Sequence, residues 1–131
     1  MFYLAEPMVT SLFVEDVAMW LDLKGIRYTP RLKFTGKSGF DHLFNFVIPK
    51  SRTQPERIIK AINRPTRDAV QIAVFAWTDT REVRGPDDRM YTFLNDTEQA
   101  IPSGIVDALS NYGVVPVLWR DREKAADLLS A

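Results

Sequence analysis

The sequence predicts an α/β fold (mixed α+β): a mixed β-sheet of about five strands with helices on both faces. Three observations carry this. Apolar runs of strand length alternate with segments of helical period. Over residues 90–119 a strand, a helix and a second strand follow one another, which calls for a parallel pair and a right-handed crossover. The chain has 131 residues, 46% apolar and 26% charged, enough to bury one core without staples and too apolar for disorder. A single domain over residues 1–131 is expected.

The elements follow in order. Residues 1–4 are too apolar for a free tail and are expected to pack on the domain or a partner. Residues 11–24 read as a helix, with Thr10 or Ser11 as cap and Gly25 as stop. It is apolar over most of its circumference, so it should be wedged in the core or against a second surface. Residues 26–34 form a first strand, in which Pro30 points to an edge or a bulge. The turn at 35–39 holds Gly36 and Gly39, and residues 40–48 return as an alternating strand. Thr53-Gln54-Pro55-Glu56 fits a capping box, which predicts a helix to about residue 63, stopped by Pro65. Residues 71–78, QIAVFAWT, are apolar on both faces, the pattern of a central strand. A charged loop over 80–89 leads to a short strand at 90–94, a helix at 101–112 ended by Gly113, a buried strand at 114–119 and a terminal helix over 121–129. The expected order is α-β-β-α-β-β-α-β-α.

Composition removes several kinds of chemistry. There is no cysteine, hence no disulfide, thiolate nucleophile or cysteine-held metal. A single histidine excludes a two-imidazole metal site from one chain. Lysine plus arginine balance aspartate plus glutamate at 17 each, so no bulk positive charge supplies phosphate affinity. No apolar run reaches membrane-spanning length, and the start lacks the basic and apolar regions of a signal peptide. A cytoplasmic protein is expected.

The motifs are sparse. Gly36-Lys37-Ser38 resembles the end of a phosphate-binding loop, but Arg31 stands where its first glycine belongs and a strand follows in place of a helix. Asp41 and His42 are neighbours on a strand, so they point to opposite faces. Asp79, Asp96 and Glu98 fall after strands in this reading. Ligands in open α/β sheets bind beyond the carboxyl ends of strands, and carboxylates gathered there could hold Mg²⁺. Arg81, Arg84 and Arg89 flank the charged loop as a candidate anion clamp, set against its own acids Glu82, Asp87 and Asp88.

Several segments together, SGFDHLFNFVIPK, RIIKAINRPTRDA, FAWTDTREVR, FLNDTE and ALSNYGVVPVLW, resemble an uncharacterised bacterial domain family. That family usually forms the C-terminal half of two-domain proteins. The resemblance implies a bacterial origin, often near mobile or phage-related genes, and carries no catalytic residues with it. A weaker similarity links the chain to restriction-endonuclease-like folds, which share an early helix, a β-meander with an acid and a following helix. The acid-x-lysine element of those folds is missing, because Asp79-Thr80-Arg81 ends in arginine. Arginine does not transfer protons near neutral pH.

The first functional expectation is a non-enzymatic interaction or regulatory module in a mobile-element or phage-defence setting, with a protein partner or a second copy. The alternative is a metal-dependent nuclease-like phosphodiesterase: Asp79, Asp96 and Glu98 on Mg²⁺, Asp41 or His42 as base, Arg81 on phosphate. A third reading is nucleic-acid binding through Arg27, Arg31, Lys33 and Lys37 on the hairpin, although edge-strand cations commonly serve to block aggregation.

Overall fold

A computed structural model describes residues 6–85 and 87–130, with side chains from Leu12 onward. The apolar start at 1–4 lies outside the described residues. The chain runs α1 (Glu6–Leu23), β1 (Thr29–Thr35), β2 (Asp41–Ile48), β3 (Arg57–Ile62), α2 (Arg67–Arg81), β4 (Arg89–Leu94), α3 (Ser103–Asn111), β5 (Val114–Leu118), a 3-10 segment (Trp119–Ala125) and α4 (Ala126–Ser130). The strands lie side by side in sequence order. β1, β2 and β3 form an antiparallel meander, and β3, β4 and β5 are parallel. The mixed five-stranded sheet with helices on both faces is therefore as expected, and so is the parallel β4–α3–β5 unit.

The element order differs from expectation at two places. Residues 57–62 form a strand, and residues 67–81 form a helix. Ile58, Ile59 and Ile62 are β-branched and buried on both faces of the sheet, which suits a central strand. The apparent capping box before it is a turn, in which Ser51 Oγ accepts the N–H groups of Thr53 and Gln54. The working cap is Thr66, whose side chain accepts the N–H of Ala69 at the start of α2. Along α2, Val70, Ala73, Ala76, Trp77 and Thr80 are buried at helical spacing. Ile72 and Phe75 lie on its outer side, 61% and 48% exposed, and they made this stretch look apolar on both faces of a strand.

Two cores sandwich the sheet. On one face Phe13, Val17, Trp20 and Leu21 of α1 meet Phe46, Ile59, Tyr91 and Phe93, with Ala125 and Leu129 of the C-terminal segment closing the layer. Trp20 also donates its indole N–H to Glu123 at 2.7 Å, and Lys24 pairs with the same carboxylate. α1 ends as expected at Gly25, which has φ +69°, but it begins ahead of Ser11. Its outer side leaves Leu12, Met19 and Leu23 exposed, so only one face is wedged in the core. On the other side of the sheet, α2 and Leu109 of α3 cover Val47, Ile58, Met90, Leu94 and Val114.

The β1–β2 hairpin bends in its middle. Pairing runs continuously except that Arg31 and Asn45 are unpaired, and Arg31 has φ +53°. Phe44 and Phe46 are two residues apart and should share a face, yet Phe44 joins the α2-side core while Phe46 joins the α1-side core. Beyond the bend, Leu32, Phe34 and Phe44 pack toward α2. β2 leaves β3 here, and side chains replace the lost ladder. Asn45 Oδ1 accepts the N–H of Ala61 at 2.7 Å, and Lys60 Nζ donates to the carbonyl of Leu43 at 3.2 Å. At the other end of β3, the buried Arg57 ties three elements together. It donates to the carbonyls of Pro49 before β3 and Leu128 in α4, both at 2.9 Å.

Candidate functional site

Bending brings the hairpin tip to the last turn of α2. Asp79 in that turn is almost fully buried and accepts three hydrogen bonds. Ser38 gives two, its backbone N–H to Oδ1 at 2.7 Å and its hydroxyl to Oδ2 at 2.5 Å. His42 Nε2 lies 2.7 Å from Oδ2. An ionised carboxylate only accepts, so the Nε2 proton is donated to Asp79. The N–H of Lys37 completes the contact on the carbonyl of Asp79 at 3.0 Å. The Ser38 hydroxyl leads a set of bonds, with those of His42 and the Ser38 amide, that favours the charged form. Burial opposes them, and the net effect holds the Asp79 carboxyl below the usual range.

The close approach explains Gly36. A Cβ on it would lie 2.0 Å from Asp79 Oδ2, so only glycine lets the turn sit against the carboxylate. The His42 ring packs edge-on against Phe75 of α2 at 5.4 Å. In this cluster the aspartate lies between serine and histidine. That order differs from a serine–histidine–acid triad, in which histidine stands between serine and acid. The arrangement ties the hairpin tip to α2.

The other predicted site residues lie elsewhere. Asp41 is exposed and accepts the hydroxyl of Thr35 across the hairpin at 2.5 Å. Arg81, one turn from Trp77, lays its Cζ 5.7 Å from the Trp77 ring. α2 runs from the end of β3 back to the start of β4, so Asp79 sits at the edge where β4 begins. Asp96 and Glu98 follow β4 at the opposite edge. Asp96 is buried and accepts the backbone N–H of Arg120 at 3.0 Å, which links the exits of β4 and β5; Glu98 is exposed. The structure brings His42 and Asp79 together but does not bring Asp79 to Asp96 and Glu98. No group of three acidic or imidazole side chains among the described residues is placed to hold a metal.

Two further features were missed in the sequence. Ser38 stood out only within the rejected Gly36-Lys37-Ser38 resemblance, and its bonds to Asp79 had no signal. The other is an apolar groove of about 740 Å³ between α2 and α3, lined by Val70, Val74, Phe75, Ile105, Ala108 and Tyr112.

These features define the class: a three-layer mixed-sheet domain whose most connected polar cluster fixes a bent hairpin against a helix. The chain belongs to the family described as domain of unknown function DUF1829, whose model matches residues 36–122. The match begins at Gly36, the residue that contacts Asp79, and ends in the 3-10 segment. No curated protein sequence matches the chain.

Proposed function

We propose that the chain is a non-enzymatic interaction module, working in a bacterial mobile-element or phage-defence setting, that docks a protein partner or a second copy through the α2–α3 face. The observation that carries this reading is the apolar groove between these helices. Tyr112 on its rim is 58% exposed and Phe75 is 48% exposed. Exposed apolar residues scattered singly are ordinary, but a contiguous apolar groove on one helical layer suits a partner's apolar side chains. The engagement of Asp79 and Asp96 in holding the fold favours binding over catalysis.

The test is association. Light scattering of the purified chain, with affinity recovery from a bacterial lysate, should give a dimer or a reproducible partner. Phe75→Asp should abolish it with the far-ultraviolet spectrum unchanged. A monomer at high concentration with no partner, indistinguishable from Phe75→Asp, contradicts the reading.

One observation favours a second reading, a nuclease-like phosphodiesterase. The meander has three strands before its helix, not two, which brings it nearer the restriction-endonuclease-like order of early helix, acid-bearing meander and following helix. Among the described residues no strand carries an acid-x-lysine triplet: β3 places Ile58 two residues before Lys60, and β1 places Arg31 two before Lys33. Plasmid nicking in Mn²⁺ that is lost in Asp41→Asn would favour this reading over the first.

A further inference from the structure

A second cleft, of about 740 Å³, opens at the edge where β4 and β5 begin, between the β2–β3 loop and the end of α2. Four cationic residues line it. Lys50 and Arg52 come from the loop, Arg81 from the last turn of α2, and Arg89 from the first residue of β4. None of the four has a carboxylate within ion-pair distance among the described residues. The acids in the cleft are Asp87 and Asp88, and Asp88 already faces Arg84 Nε at 3.5 Å. In a chain with zero formal net charge this is a local surplus of positive charge.

The cleft also has a fixed wall. The Arg81 guanidinium lies between the Trp77 ring and Gly113, where an added Cβ would stand 3.5 Å from Arg81 Nη1. Trp77 lines the cleft, is 2% exposed, and its indole N–H has no hydrogen-bond partner. Buried donors are rarely left unsatisfied, and each needs a reason.

The geometry points to this cleft as a binding site for a phosphate group, carried by a nucleotide or by the end of a nucleic-acid strand. Guanidinium forks match phosphate oxygens in pairs, and a cleft of this volume accepts a nucleotide-sized ligand. Arg81 would flank the phosphate from the end of α2, Arg89 from the start of β4, and Lys50 and Arg52 from the loop. The site is separate from the α2–α3 groove and does not rest on the docking proposed there.

Calorimetric titration of the full chain at low salt tests it, with inorganic phosphate, adenosine 5′-monophosphate and a 5′-phosphorylated tetranucleotide as probes. The expected result is saturable binding of at least one probe, weakened at least about tenfold in Arg81→Ala and in Arg89→Ala. Arg52→Ala, an exposed loop change that leaves the fold alone, should weaken it in the same direction. Lys33→Ala on the hairpin should leave it unchanged. Tighter binding of the monophosphate identifies a nucleotide site, and tighter binding of the tetranucleotide a strand-end site. No saturable binding of any probe at millimolar concentration overturns the proposal. So does binding that survives undiminished in all three arginine variants.

Discussion

Asp79 decides how the hairpin tip is held, and its chemistry sets a pH dependence. Its carboxyl titrates lower in the folded chain than in the unfolded one. The unfolded chain therefore takes up the proton first as pH falls. The contribution of Asp79 to stability is complete above about pH 4, the ordinary carboxylate range, and is lost as pH falls through the lower folded value. Chemical denaturation across pH 2–6 should show this loss in the wild type and a flatter profile in Asp79→Ala. Gly36 gives a sharper prediction at the same contact. Gly36→Ala puts a methyl group where Asp79 Oδ2 stands; two hydrogen bonds hold that oxygen in place, and a third holds Oδ1 of the same carboxylate. A loss of about 1–3 kcal/mol is expected by urea unfolding. In the sequence, Asp79 and His42 were both picked out, but for a different role. Their partnership depends on a bend in the hairpin that neither residue encodes.

Among the elements, α1, β4, α3 and β5 were legible from apolar pattern and flanking turn residues, and the two that were not are stretches whose apolar residues suit either period. The stretch 57–62 has apolar residues compatible with either period, and a capping-like tetrapeptide before it tipped the reading toward helix. The stretch 71–78 failed because Ile72 and Phe75 are apolar on the outside of α2, filling the positions a solvated helix would leave polar. Of these two, Phe75 lines the groove at which docking is proposed, while Ile72 lines a separate cleft beside the end of β3. The bend itself was announced only by Pro30, read as an edge or bulge one residue before Arg31. Its repair is testable. Asn45→Ala removes the acceptor for the Ala61 N–H and leaves a buried donor unpaired at the point where β2 parts from β3. That should cost about 1–3 kcal/mol in thermal or urea unfolding, with fast amide exchange at Ala61.

For the molecule as a whole, the sheet's layering was legible because the hydrophobic patterns of β2, β4 and β5 and the crossover through α3 leave few alternatives. Joining the layers was not legible, because it rests on contacts distant in sequence. Arg57 is the main case, linking the loop before β3 to α4 seventy-one residues later. Burial lowers its pKa, but arginine remains charged near neutral pH. Arg57→Ala should lose about 3 kcal/mol and loosen the C-terminal segment, read as protease sensitivity near α4. The distribution of acids is also a property of the whole fold: α2 carries Asp79 to one edge of the sheet while β4 carries Asp96 and Glu98 to the other. The most direct test is thermal melting of the wild type and Asp79→Asn with and without Mg²⁺ or Mn²⁺. If Asp79 holds the hairpin, the variant melts lower and neither protein responds to metal. Metal-induced stabilisation of the wild type that vanishes in Asp79→Asn would contradict the account.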